Sequence, residues 1–459
     1  MAIERIITST VGWAASIFQP VERVGPPIPD GPVLVLANHP NALLDPLMIF
    51  HIAGRPTRPL AKAPLFEQLF VGTLLRGMGG LPVFRPKDDP TLLHRNDETF
   101  AAAIAALHAG DAVQIYPEGQ SHSGPSMTPL RTGAARIALR AEAEHGWTLG
   151  LAIVPIGLTY SGKSLFRSRV VAQVGEAFGI SSYRAEFEAD EQAAVRSLTA
   201  EMTGRLEAVT LNLSQTEDAD LINIAERLYS REKGMVRWRE RSALSERLPR
   251  LQLFAHGLAW LRAHDPQRHT RLARAVRRYH RYAKLFHAGD GDVPPHYSFL
   301  PTVRYVAVET LVLLLGLPLA VIGATLWYPT YYAPNITLRM VKPSYDSVST
   351  YKLATAFAAV PLTLLVVGVA AAILGGPVIA VAAVIAAIVL GFVTIAWRER
   401  WARVRSDADL FARVLMRSRE RALLAGERTA IVSEFDAIAA LMENEHTLNE
   451  AAASGDTPR

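Results

Sequence analysis

Short apolar runs alternate with segments of helical composition over the first part of the chain. Residues 32–37 (PVLVLA), 81–84, 112–116 (AVQIY), 151–156 (LAIVPI) and 170–174 are rich in Val, Ile and Leu and bounded by turns, so they predict buried strands. Between and after them, residues 98–108, 134–144 and 186–213 carry the Ala and Leu content of good helix formers. That alternation predicts an α/β domain over residues 20–215.

Beyond it the pattern changes. Residues 221–304 predict an all-α, Arg-rich region, with Leu251, Phe254, Leu258 and Leu261 spaced to form one helix face. Residues 305–328 form an apolar re-entrant or membrane segment, interrupted by Gly316 and Pro318 and with Glu309 near its start. Residues 353–397 contain no Asp, Glu, Lys or Arg, whereas a bilayer core needs only about 20 apolar residues. Gly375, Gly376 and Pro377 break this run at its middle, which predicts a transmembrane helical hairpin with its tip there. Residues 398–459 predict amphipathic helices and a polar tail. Residues 1–19, which place Glu4 and Arg5 among apolar positions, predict an amphipathic interfacial helix rather than a cleaved leader.

Basic segments on both sides of the apolar region prefer the cytoplasmic face, so an even number of crossings is expected. Segment 305–328, carrying Gly316 and Pro318, is therefore expected to enter the membrane and turn back, while 353–375 and 377–397 cross. The picture is an integral protein of the cell (inner) membrane with its α/β domain facing the cytoplasm.

Composition narrows the chemistry. The absence of cysteine excludes disulfides, thiolate metal sites and an acyl-cysteine intermediate. The net charge of +5 hides an asymmetry: residues 226–284 hold 16 Lys and Arg against 5 Asp and Glu. Basic helices beside apolar ones point to an anionic leaflet before nucleic acid.

Two motifs follow predicted strands, at the place where α/β sheets bind ligands. The first is Asn38-His39-Pro40-Asn41-Ala42-Leu43-Leu44-Asp45. His39 can take a proton near neutral pH, and Asp45 can fix its tautomer. On an unbroken helix, residues six apart point about 120° away from each other, so the chain must turn between them. The second is Tyr116-Pro117-Glu118-Gly119-Gln120-Ser121-His122, whose small residues let backbone N–H groups approach an anion while Ser121 donates to it. Either motif alone is compatible with a purely structural turn.

Together, and with Gly80-Leu81-Pro82-Val83-Phe84-Arg85 and Ile153-Val154-Pro155-Ile156-Gly157 in order, they resemble the glycerolphosphate and lysophosphatidic acid acyltransferase superfamily over roughly residues 20–215. Five residues separate His39 from Asp45 where most of the superfamily has four. That spacing, Ser121-His122, the block from Pro129 to Ala134 and Phe166-Arg167-Ser168-Arg169-Val170 resemble the glycerol-3-phosphate and dihydroxyacetone-phosphate acyltransferase branch. The resemblance implies an α/β acyltransferase domain followed by the basic all-α region and hydrophobic membrane helices. It implies His39 as base, Asp45 as its partner, Arg85 on the acceptor phosphate, and Glu118, Gly119 and Ser121 lining the acceptor site. Lys62 resembles a family lysine and is a second phosphate candidate, and Pro155 is expected to shape an acyl channel. Asn38, Asn41, His122 and Arg131 are further candidates.

No cofactor or metal is expected, and acyl-CoA or acyl carrier protein would be co-substrate to a glycerol phosphate acceptor. Three other readings compete. The acceptor would be 1-acyl-glycerol-3-phosphate or another lysophospholipid, with the same core residues. A metal-dependent hydrolase would use His39, Asp45, Glu118 and His122 as ligands. A non-catalytic membrane scaffold would need none of them.

Overall fold

The computed structural model describes residues 10, 12–85, 90–122, 124–213, 215, 218–233, 235, 243–285, 299–416 and 418–454. The chain divides into two compact units, residues 1–212 with 337–354, and residues 213–336 with 355–459. Of the expected interfacial helix only residue 10 and residues 12–19 lie within the described set, and of these residues 10 and 12–18 are helical. The predicted polar tail lies partly outside it, at residues 455–459.

The first unit is built on a seven-stranded mixed sheet in the order β1-β7-β6-β2-β5-β3-β4. Its strands are β1 (Val21–Val24), β2 (Val33–Ala37), β3 (Thr57–Lys62), β4 (Leu81–Val83), β5 (Ala112–Ile115), β6 (Ala152–Tyr160) and β7 (Val170–Val174). Among the described strands only the β6–β7 pair is antiparallel. β2 lies at the centre between β5 and β6 and is buried along its whole length, as a strand covered on both faces must be. Helices α1 (Leu44–Ala53), α2 (Leu69–Gly77), α3 (Asn96–His108), α4 (Gly133–Glu144) and α5 (Glu191–Val209) accompany the sheet. One core forms from Leu34, Leu36, Val113 and Ile153 with Leu107, Ile137, Leu139, Leu198 and Leu206. The predicted helix 186–213 is broken at Asp190, whose side chain accepts from the N–H groups of Gln192 and Ala193 and so caps α5.

Two strands carry no clear signal in the sequence. β1 is four residues long at the sheet edge, and β3 contains Pro59. That proline sits where β3 leaves one neighbour for the other: Thr57 to Pro59 register with β5, and Leu60 to Lys62 with β4. β6 also runs beyond the predicted apolar block. Residues 152–156 pair with β2, and residues 156–160 continue alongside β7. Pro155 is buried inside this strand, packing with Val209 over Gly175, and is a core residue.

The second unit is helical. α6 (Asp218–Glu232), α7 (Leu244–His264), α8 (Pro266–Leu285) and α11 (Ser418–Ser454) pack together. Phe254 meets Phe435 and Tyr229 edge-on at 5.0 and 5.6 Å. Much of the positive charge is compensated within these helices. Buried Glu226 accepts from Arg247 and Arg250, buried Asp218 from Arg262, and Arg268 and Arg428 pair with Glu434 and Glu232.

The apolar part comprises α9 (Phe299–Val341) and α10 (Val348–Met416), both long and apolar enough to cross a membrane. Most large apolar side chains along them are exposed, Leu314, Leu315, Ile373 and Leu374 among them. Gly376, at φ 83°, breaks α10 into two arms. A Cβ on Gly368 would lie 3.3 Å from Val384, so the arms fold back on each other as the sequence predicts.

Segment 305–328 differs from the re-entrant alternative, because it is continuous helix and does not turn back at Gly316 and Pro318. Its glycines serve close helix packing instead. A Cβ on Gly316 would lie 3.0 Å from Trp397, and one on Gly323 would overlap Thr394 and the Leu390 carbonyl. Trp397 donates its indole N–H to the Leu313 carbonyl, and Trp327 donates to that of Ala387. Glu309 is paired with Arg400, the Oε2–Nε distance being 2.5 Å.

Gly157 gives a direct stability test. A Cβ there would fall 1.8 Å from the Val209 carbonyl oxygen at the end of α5. Gly157→Ala is therefore expected to lower unfolding free energy by about 1–3 kcal/mol, the scale of overpacking, in denaturant or thermal melts. An unchanged midpoint would contradict the close packing of α5 on β6.

Candidate active site

The carboxyl ends of β2, β3, β4 and β5 lie along one edge of the sheet, because these strands run parallel. Asn38 and His39 follow β2, Lys62 ends β3, Arg85 follows β4, and Tyr116 to His122 follow β5. Strand adjacency therefore brings together motifs that are about eighty positions apart in sequence, as the 79-residue separation of His39 and Glu118 illustrates.

The chain turns after β2 and re-enters helix at Leu44, placing Asp45 in the first turn of α1. Ala42 takes a left-handed conformation, φ 41°, to make that turn. His39 Nδ1 then lies 2.8 Å from Asp45 Oδ2. Asp45 is fully buried, and its carboxylate also accepts from the Asn41 N–H at 2.7 Å and the Tyr160 hydroxyl at 2.6 Å. A carboxylate only accepts hydrogen bonds, so the His39 proton sits on Nδ1 and Nε2 is left with its lone pair. The His39 ring stacks on Tyr116 with centroids 4.2 Å apart.

The loop after β5 holds the loop after β2 by its backbone. Glu118 Oε1 accepts the His39 N–H at 3.1 Å, the His122 N–H donates to the His39 carbonyl at 3.2 Å, and Ser121 Oγ accepts the Ala42 N–H at 3.1 Å. Glu118 Oε2 accepts from the Thr128 N–H at 2.8 Å and from His122 Nε2. His122 Nδ1 in turn accepts the Gly124 N–H at 3.0 Å, which fixes the ring proton on Nε2. Glu118, Ser121 and His122 thus brace the loop that carries His39. The four side chains weighed as metal ligands form two hydrogen-bonded pairs, and no group of three or more His, Asp or Glu among the described residues is disposed to hold a metal.

Asn38 is a strut between strands. It donates to the Leu158 carbonyl at 3.1 Å and accepts the Leu158 N–H at 2.7 Å. Asn41 is buried and donates to the Lys163 carbonyl at 3.2 Å. Gly119, at φ 71°, is approached by two guanidiniums: Arg85 donates to its carbonyl at 3.3 Å, and a Cβ on it would lie 2.6 Å from Arg131 Nε. Lys62 is exposed at its strand end. Two guanidiniums thus lie beside the Gly119 backbone, in the loop that braces the His39 loop.

Tyr160 and Gln19 are absent from the sequence reading. Tyr160 lies 115 positions from Asp45, and only the extended β6 brings it there. Gln19 donates to the Lys163 carbonyl at 2.7 Å and approaches the Asn41 amide at 3.4 Å. No spacing rule signals either contact. Burial, and then the Asp45 charge, hold the hydroxyls of both Tyr116 and Tyr160 well above the usual tyrosine range.

Residues 20–159 match the family described as Acyltransferase. Over 135 residues the chain is 37% identical to glycerol-3-phosphate O-acyltransferase 2 of Saccharomyces cerevisiae, covering 29% of this chain and 18% of that one. Over 147 residues it is 27% identical to a 1-acyl-sn-glycerol-3-phosphate acyltransferase of Borreliella burgdorferi, covering 31% and 51%. The crystal structure of a 1-acyl-sn-glycerophosphate acyltransferase from Thermotoga maritima aligns with 44% of this chain and 82% of that chain, at 18% identity and a TM-score of 0.31. The chain thus spans from under a fifth to about half the length of these two curated relatives.

The raised tyrosine pKa values set an alkaline limit. Neutral Tyr116 and Tyr160 favour the folded state fully below the ordinary value of about 10, and that contribution is lost as pH rises through the higher folded values. In a titration followed by tyrosinate absorbance, neither residue should ionise before alkaline unfolding. A titration step at or below pH ~10 that disappears in Tyr160→Phe or Tyr116→Phe would contradict this.

Proposed function

We propose that this chain, with residues 20–159 as its acyltransferase domain, is a membrane-bound O-acyltransferase that moves a fatty acyl group from a thioester to the hydroxyl of glycerol 3-phosphate or dihydroxyacetone phosphate in phospholipid synthesis. The observation that carries this reading is the His39–Asp45 pair, which leaves Nε2 as a base in the segment that matches the family. His39 Nε2 takes the acceptor hydroxyl proton as the oxygen attacks the thioester carbonyl. The new C–O bond forms, the C–S bond breaks, and the leaving thiolate recovers the proton from His39. Arg85, joined by Arg131, holds the acceptor phosphate through charge-assisted bonds, with Lys62 as a further cation. The steps use no metal or cofactor, and acyl-CoA or acyl carrier protein supplies the acyl group.

The two apolar helices support residence in a membrane, and the basic segments that flank them lead us to place the α/β domain on the cytoplasmic side of the cell (inner) membrane. The long His39-to-Asp45 spacing and the Phe166-Arg167-Ser168-Arg169 block favour an unacylated acceptor, as does the identity to the yeast relative. A second reading, acylation of 1-acyl-glycerol-3-phosphate, has its support in the Borreliella relative.

His39→Ala is expected to lower turnover by at least about 100-fold without unfolding the protein. Turnover near wild type in a folded variant would refute the assignment of the base. Arg85→Ala should raise the KM for the acceptor more than that for the donor. Glycerol 3-phosphate and 1-acyl-glycerol-3-phosphate competing at equal free concentration identify the acceptor. A groove for a second chain would gain about 0.8 kcal/mol per buried CH₂, so exclusive use of the lysolipid would favour the second reading.

A further inference from the structure

The loop between β6 and β7, residues 161–169 (SGKSLFRSR), has two faces of different character. Its inner face is fixed by buried amides. The Gln19 side-chain amide donates to the carbonyls of Gly162, Lys163 and Leu165 and to Ser168 Oγ, and Asn41 donates to the Lys163 carbonyl. The Arg167 N–H donates to the Phe18 carbonyl at 2.7 Å. Its outer face carries Leu165 and Phe166, 61% and 42% exposed. The Phe166 ring touches Phe18 at 5.7 Å, at the end of the helical segment 12–18, on which Trp13 is 56% exposed. Lys163, Arg167 and Arg169 lie in the same loop.

A rigidly held loop that presents Leu and Phe, next to a helix presenting Trp and flanked by basic residues, has the composition of a surface that enters the headgroup region of an anionic leaflet. The chain itself sets the level of this loop. Lys352 donates to the Ser164 carbonyl at 2.6 Å, and Ser349 Oγ donates to that of Lys163. Lys352 is the last charged residue before the uncharged run 353–397. The loop is therefore bonded to the residue that immediately precedes the uncharged run.

We propose that residues 161–169 form an interfacial loop whose Leu165 and Phe166 insert into an anionic phospholipid leaflet, turning the His39 loop, to which Asn41 ties it, toward the lipid surface. The inference rests on α10 being a membrane hairpin, but not on the acyl-transfer reading.

The lack of cysteine permits a direct test on the full chain. Single variants L165C and F166C, each labelled with an environment-sensitive fluorophore, would be reconstituted in nanodiscs of phosphatidylglycerol and phosphatidylcholine carrying spin-labelled lipids. E144C, at the end of α4, and I385C, in the second arm of the hairpin, serve as references. Labels at 165 and 166 should be quenched by shallow spin labels, at about 5–10 Å below the headgroups, and be several-fold less accessible to aqueous iodide than the label at 144. Iodide access at 165 and 166 equal to that at 144, with 385 in lipid, would overturn the loop proposal alone. If 385 also reports water, the membrane reading of α10 falls with it. Acyl-transfer activity enters neither outcome.

Discussion

Asp45 is a carboxylate with no exposed surface, and a buried charge is tolerated only when its oxygens are supplied with donors. The donors come from three places in the fold: the turn after β2 gives the Asn41 N–H, the base of that turn gives His39 Nδ1, and the end of β6 gives the Tyr160 hydroxyl. Each makes a geometric demand. The turn must pass through the left-handed Ala42, and the imidazole must keep its proton on the inner nitrogen. β6 must run beyond its pairing with β2 to reach the carboxylate. The orientation of the His39 ring follows from satisfying a charge inside.

The second loop solves a different problem, which is how an irregular segment holds its shape at a sheet edge. Glu118 and Ser121 accept backbone N–H groups that no strand or helix pairs, and His122 closes the arrangement with its own N–H. Residues expected from the sequence to line an acceptor site thereby also determine where His39 stands. Substituting them is expected to affect the position of His39 as well as any direct contact with substrate.

What was legible in the sequence follows the reach of local signals. β2, β5 and β7 stand out because buried strands are apolar runs, and the motifs stand out because they abut those runs. β3 was obscured by Pro59, whose place in a strand makes sense only once the change of partner there is known. Tyr160, Gln19 and the pairing of two arginines at Gly119 are long-range matters that no window of sequence contains. In the helical part, Gly376 signalled its turn correctly, since a left-handed residue between apolar helices has few other uses. Gly316 misled because the same residue type also permits a tryptophan on a facing helix to approach.

The division of β6 between two partners also bears on how the protein is made. Domains fold as units while the chain is still being synthesised, at about 5–20 residues per second. His39, Asp45 and Glu118 all emerge before Tyr160, and the Lys163 carbonyl that receives Asn41 emerges later still. Until β6 is complete, the Asp45 carboxylate lacks one of its donors and must keep water. A nascent chain arrested before residue 160 contains both motifs yet lacks the Tyr160 hydroxyl that donates to the buried Asp45 carboxylate.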